Sequence, residues 1–225
     1  MPKQTIAEKA AKLICEHADN TRHPIRPPIP VEEIIEITLD LSLDYGDLDC
    51  RYGVKGILGA TDVPGRTIAV NKRLLDDRKM EGRLSFTCAH EAGHWVLHRH
   101  LVNAASRVGN NHPAILCRIA DARASIEWQA NYFASCLLMP ERETKDAFSR
   151  VFSASALEVH NVRGCFEGPI CFDPAVENWH RIAESVQAVG NFSNVSMQAM
   201  IIRLQDLGLV VNKTSRMMGW RKALA

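Results

Sequence analysis

Apolar and polar positions alternate along the chain with two distinct periods. Ile6, Leu13 and Ile14, set among Lys3, Glu8, Lys9, Lys12 and Glu16, give residues 1–17 the spacing of an amphipathic helix. The next stretch, His23-Pro24-Ile25-Arg26-Pro27-Pro28-Ile29-Pro30, is too rich in proline for regular helix and reads as an extended connector. Residues 31–38 restart a short helix with Pro30 near its first turn, and residues 39–45 alternate as a strand does. Segments 56–61 and 66–70 flank Asp62-Val63-Pro64-Gly65, whose proline and glycine suit a tight turn, so a hairpin is expected. A small sheet should therefore be complete before residue 75.

The period becomes helical over residues 83–100 and again over 121–138, where Pro140 stops it, with a loop between the two. Residues 151–172 hold Gly164, Gly168 and Pro169 without a clear period and read as an irregular connection. Asp173-Pro174 offers an N-cap and a first-turn proline for a helix that closes at Gly190. Ser193 or Asn194 then caps a helix carrying Met197, Met200, Ile201 and Leu204, which Gly208 ends before the strand-like Leu209-Val210-Val211. The pattern predicts an α+β chain, mostly helical, with a small mixed or antiparallel sheet ahead of the 83–100 helix. Residues 1–150 form the main domain, 151–172 the connection and 173–225 a C-terminal helical region.

Composition narrows the function without naming it. Among 225 residues, 27 Lys and Arg face 26 Asp and Glu, a formal charge of +1, so the whole chain exerts no general attraction on nucleic acid or anionic lipid. Hydrophobic residues at 46% and charged residues at 24% are ordinary for a globular protein and exclude disordered and collagen-like classes. Apolar runs such as Cys136-Leu137-Leu138-Met139 fall far short of the roughly 20 residues of a membrane span. The first helix also lacks the apolar core of a signal peptide, so a cytoplasmic location is expected. Seven cysteines with no Cys-x-x-Cys pair suggest reduced, mostly buried thiols rather than a disulfide or metal framework.

The chemistry concentrates in His90-Glu91-Ala92-Gly93-His94. On a helix, residues four apart lie one above the other, so His90 and His94 can reach one Zn²⁺. Glu91, offset by one position, is no ligand and can act as a base toward water at the open coordination position. Two residues compete to be the third ligand. His100 occupies the last place of a His-Glu-x-x-His-x-x-Gly-x-x-His pattern, but Leu97 stands where that pattern needs a glycine to turn the chain back. Glu127 borders the apolar stripe Ile126, Ala130, Phe133, Ala134, Leu137 and Leu138, with Asn131 one turn on. A carboxylate there needs a partner, and two His plus a Glu from a following helix make a catalytic zinc set. Glu127 is the expected ligand, with His98 and His100 beyond the ion.

These residues, in this order, resemble the ImmA/IrrE family of metallopeptidases, which are gluzincin-like. The resemblance rests on the 56–70 hairpin followed by Asn71, on Phe86-Thr87-Cys88-Ala89-His90-Glu91-Ala92-Gly93-His94-Trp95-Val96-Leu97-His98, and on Glu127-Trp128-Gln129-Ala130-Asn131-Tyr132-Phe133-Ala134 running to Pro140. Residues 196–209 are similar to that family's C-terminal helical end, while Ala92 replaces its commoner leucine. The resemblance implies a zincin-like fold, zinc held by His90, His94 and Glu127, and Glu91 as catalytic base in attack by zinc-activated water. It further implies endopeptidase action on a partner protein, typically a helix-turn-helix transcriptional repressor, in stress responses and mobile elements. No residue stands out to stabilise the oxyanion, Tyr132, His160 and His180 being the available donors.

A different class of function competes: a metal-binding regulator that contacts DNA or protein and hydrolyses nothing. The two C-terminal helices could form a helix-turn-helix, with Gln198, Arg203 and Gln205 on the second and Lys213, Arg216, Arg221 and Lys222 beyond it. Glu91 argues against this class, because a structural metal site has no use for an unliganded base beside it.

Overall fold

The computed structural model describes residues 1–77, 80–106, 114–118, 125–160, 171–172 and 175–213, which divide into two compact units, Met1–Pro140 and Glu141–Ala225.

The first unit begins with helix α1 (Lys3–Thr21), which buries Ile6, Ala10, Leu13 and His17, spaced by four, three and four residues as one helical face requires. Cys15 falls off that face and is exposed, as is Cys50, while Cys88 and Cys136 are buried. The expectation of mostly buried thiols thus holds for two of the four cysteines whose side chains are described. After the proline connector, α2 (Val31–Glu33) runs directly into a π-helical turn at Ile34–Thr38, closed by the Leu39 N–H donating to the Ile34 carbonyl at 3.0 Å. Strand β1 (Ser42–Gly46) follows.

A five-residue helix, α3 (Leu48–Tyr52), was not foreseen, because so short a segment shows no period. Its signal is local. Asp47 caps it by accepting from the Cys50 N–H at 3.0 Å, and Gly53 at φ 65° ends it in a conformation that favours glycine.

Strands β2 (Ile57–Asp62) and β3 (Thr67–Asn71) form the expected hairpin, with Gly59 opposite Val70 and Asp62 opposite Thr67. β1 adds in parallel to β3, so the sheet is mixed. It is not complete before residue 75. Strand β4 (Ala114–Arg118), in the stretch read as a loop, returns antiparallel to the free edge of β2 and gives the order β1-β3-β2-β4. Its short apolar run follows Gly109-Asn110-Asn111-His112-Pro113, whose turn signals dominate the local pattern. Only pairing with a distant strand reveals it.

Leu48, Ile57, Ala60 and Ala69 pack together between the sheet and α3, and helix α4 packs against β2 and β3. That helix, α4 (Glu81–Ser106), is 26 residues long and is buried without interruption from Thr87 to Trp95. Helix α5 (Ser125–Leu138) lies against both α4 and α1. Ala130, Phe133, Ala134, Leu137 and Leu138 form its buried stripe, as expected, while Ile126, expected in that stripe, is only half-buried and Glu127 is itself buried rather than at the border. Residues 121–124, where this helix was expected to start, lie outside the described residues.

In the second unit, α6 (Glu141–Phe152) buries Thr144, Ala147 and Phe148 and packs on α7 (Val176–Gly190). The short strands β5 (Leu157–Val159), β6 (Cys171–Phe172) and β7 (Val210–Asn212) form a parallel sheet in the order β6-β5-β7. Ala175 is the N-terminal cap of α7, two residues later than expected, and Asp173 and Pro174 lie outside the described residues. The helix does reach Gly190, and Asn191 takes the left-handed conformation after it. Ser196, not Ser193 or Asn194, caps α8 (Met197–Asp206), its Oγ accepting from the Ala199 N–H at 3.2 Å. Arg203 on α8 is 2% exposed and thus turned away from solvent, whereas Gln198 is exposed. Lys213 is exposed, and Arg216, Arg221 and Lys222 lie outside the described residues.

Candidate metal centre

Three sequence-predicted groups converge where α4 meets α5. His90 Nε2 and His94 Nε2 are 3.0 Å apart, and the Glu127 carboxylate reaches both, Oε2 to His90 and Oε1 to His94, each at 3.2 Å. Each of the three residues is less than 5% exposed. Gly93 allows the two helices to approach this closely: a Cβ there would lie 3.1 Å from the Phe133 ring and 3.2 Å from the Ala130 carbonyl. α4 remains helical through Ser106, past Leu97, so His100 is carried out to an exposed position away from the cluster.

The ring nitrogens facing away from the cluster fix what the others can do. His90 Nδ1 lies 3.0 Å from the Asn131 side-chain oxygen, an acceptor, so Nδ1 carries the proton and Nε2 presents a lone pair. His94 Nδ1 lies 3.1 Å from Nδ1 of the buried His98. Burial, then the charge of His94, pushes the His98 imidazole down to about 4, against a weaker upward pull from Gln129. A neutral His98 can accept at Nδ1, which leaves His94 with its proton on Nδ1 and a lone pair on Nε2.

Two nitrogen lone pairs and a carboxylate therefore face one another in a dry space. Burial raises the Glu127 carboxyl, but imidazole N–H groups of His90 and His94 facing it would outweigh that and hold it down at about 2, a place that a cation takes when both nitrogens present lone pairs. Such an arrangement is repulsive unless a cation lies among the donors. Ligands at about 2.0–2.1 Å from one ion in tetrahedral geometry sit roughly 3.3 Å apart, close to the spacings found here. The donor set thus fits a divalent metal ion, and it is the one such group of His, Cys, Asp or Glu among the described residues.

Glu91 lies beside the cluster, completely buried, and faces β2. The Thr61 hydroxyl is 2.6 Å from Glu91 Oε2 and 3.1 Å from the Glu91 main-chain oxygen, so the strand clamps both the helix and the carboxylate. Glu91 Oε1 has no hydrogen-bond partner. Burial raises the Glu91 carboxyl above the ordinary range, with His90, His94 and the Thr61 hydroxyl pulling the other way. Thr61 was not singled out from the sequence. The available signal was Gly59-Ala60-Thr61, a glycine and a hydroxyl two apart on one strand and hence on one face.

Gly59 completes that wall, since a Cβ there would lie 2.5 Å from Glu91 Oε1 and 2.7 Å from its Cγ. Gly59→Ala is therefore expected to cost about 1–3 kcal/mol of stability, the usual penalty of overpacking. Gly65→Ala, which would meet only the end of the Asp62 side chain in a surface turn, should leave the urea midpoint nearly unchanged. Equal midpoints for both variants would refute the close packing of Glu91 on β2.

Tyr132, another candidate donor, makes its contacts outside the cluster. Tyr132 stacks on Trp128 at 5.7 Å with the Lys3 ammonium 4.9 Å from its ring centre. His160 and His180 belong to the second unit, where His160 Nε2 lies 2.9 Å from Glu158 Oε2.

No curated protein matches the sequence. Residues 51–157, from the end of α3 to the start of β5, match the model of a peptidase family, M78, described as the IrrE N-terminal-like domain. The match contains the hairpin, both helices of the histidine and glutamate cluster, and Glu91 in its place against β2. Residues 51–157 thus form a domain of this peptidase family, which supports the resemblance to the ImmA/IrrE peptidases.

Proposed function

We propose that the protein is a zinc-dependent endopeptidase that hydrolyses a peptide bond in a partner protein, with a helix-turn-helix transcriptional repressor as the substrate class. The observation that carries the reading is buried Glu91, whose Oε1 has no hydrogen-bond partner among the described residues and whose carboxyl feels the charges of the three converging groups His90, His94 and Glu127. His90, His94 and Glu127 would hold the ion, which when bound lowers the pKa of a water molecule and polarises a carbonyl.

The chain's own residues do the rest. Asn131 and His98 keep the two imidazoles in the tautomer that turns Nε2 to the site. Thr61 donates to Glu91 Oε2 and so leaves Oε1 to take a proton from the attacking water. Burial makes Glu91 a stronger base than a solvent-exposed carboxylate, and the same proton can then pass to the leaving amine. The repressor as substrate is supported by the family resemblance, and a cytoplasmic location follows from that partner. No helix of the described residues is long and apolar enough to cross a membrane.

The alternative, a regulator contacting DNA through α8, is less well supported, because Arg203 is buried. Metal analysis of the purified chain tests the main reading. About one equivalent of zinc is expected, removable by a chelator together with cleavage of the partner. A protein that holds no divalent metal and rebinds none would refute it.

A further inference from the structure

A second cavity, of about 420 Å³, lies in the first unit between α1, the β2–β3 turn and α4. It shares no residue with the histidine and glutamate cluster. Its walls carry Lys9 and Lys12 from α1, Arg66 from the turn and Arg99 from α4, against a single carboxylate, Glu16. On a chain whose total charge is only +1, four cations around one cavity are a local concentration.

These cations are not used up by their neighbours. Lys12 pairs with Glu16 at 3.4 Å in an exposed contact of little strength. Arg66 bonds through Nη2 alone, to Asp40 Oδ2 at 2.8 Å and to the Leu39 and Asp40 carbonyls, which fixes the guanidinium while sparing its remaining N–H groups. Arg99 bonds through Nη1 to the Trp95 carbonyl at 3.2 Å, and neither it nor Lys9 has a carboxylate partner among the described residues. Arg66 and Arg99 also both approach the Trp95 ring, at 5.5 and 5.6 Å from its centre, so two like charges are held around one indole.

Like charges gathered on separate elements repel, and an anion between them relieves that repulsion through charge-assisted hydrogen bonds. Guanidinium and ammonium groups converging from several sides suit the many acceptor oxygens of phosphate. The volume is in the range of small-molecule sites, roughly 300–1,000 Å³. We propose that this cavity binds a phosphorylated small molecule, its phosphates lying among Lys9, Arg66 and Arg99. Trp95 directly follows His94 and stands one turn beyond Glu91, so the ligand ties α1 and the hairpin to the helix that carries the metal centre. Binding does not depend on the peptidase reading.

The test is titration calorimetry of the full metal-loaded chain with pyrophosphate and with ADP, at about 0.1 M salt. Saturable one-to-one binding is expected for both probes, weakened at least 10-fold by Lys9→Gln and by Arg99→Gln. Arg150→Gln, which removes an exposed cation of the second unit, should leave it unchanged. Tighter binding of ADP identifies the ligand as a nucleotide, and equal binding shows that the phosphates alone are recognised. Absence of saturable heat overturns the proposal, as does equal weakening by Arg150→Gln. Binding that Lys9→Gln and Arg99→Gln both leave intact would place the anion on the metal centre and overturn it too. Lys9 is outside the buried face of α1, so its variant is informative even if Arg99→Gln folds poorly.

Discussion

Glu91→Gln is expected to retain the metal and lose at least about 100-fold in turnover of the partner protein, the lower end of what a positioned base contributes. The substitution keeps size and helix preference, and the amide can still meet the Thr61 hydroxyl. What it removes is the basicity of an oxygen that has no partner among the described residues. The pH profile makes the test specific. Burial raises the Glu91 carboxyl, and only its ionised form accepts a proton, so activity should fall as the pH drops through a value above the ordinary carboxylate range. That limb should vanish in Glu91→Gln. Thr61→Val, which deletes a hydrogen bond favouring the ionised form, should move the limb to higher pH. Wild-type turnover in Glu91→Gln would remove Glu91 from the chemistry, and loss of metal along with turnover would make it structural.

The elements that were legible in the sequence are those whose evidence is local. α1, α4 and α5 repeat their apolar residues at helical spacing over three or more turns, and the hairpin announces itself with Pro64-Gly65 between alternating strands. The parallel joining of β1 to β3 is decided by partners 25 positions away (Ser42 to Thr67), and β4 by partners at least 52 away (Asp62 to Ala114): nothing in Ala114-Ile115-Leu116-Cys117-Arg118 names β2 as its neighbour. α6 carries its apolar residues sparsely, between charged positions such as Glu141, Lys145 and Arg150, and no expectation was formed for it. The expected caps lie two or three residues early, since Ser193, Asn194 and Ser196 all have capping side chains and only the backbone selects among them.

The candidate site divides in the same way. His90, Glu91 and His94 lie within five residues, so helical geometry alone assembles them. The groups that tune them come from other elements: Thr61 and Gly59 from β2, Asn131 from α5, and Gly93 through the space it leaves for Phe133. A threonine that hydrogen-bonds a carboxylate 30 positions away looks in sequence like any strand threonine. Burial, which raises Glu91 and pushes His98 down, is likewise a property of packing.

Glu127 presents the sharpest case, because sequence left two candidates for one role and the geometry separates them. Glu127→Ala is expected to lower zinc affinity by at least about 10-fold, a loss no smaller than changes to outer hydrogen-bond partners give, while His100→Ala stays within a few-fold. The physical reason is reach. Glu127 sets one oxygen 3.2 Å from each of His90 Nε2 and His94 Nε2, whereas the unbroken α4 leaves His100 exposed. Glu127→Ala also removes a carboxylate that the two imidazoles stabilise, so loss of zinc counts as loss of a ligand only where the metal-free fold is intact. Equilibrium dialysis against a chromophoric chelator measures both affinities, with circular dichroism checking the fold. Should His100→Ala prove the more damaging, the helix must break near Leu97 in the zinc-bound protein, and Glu127 would be a bystander held there by the two histidines.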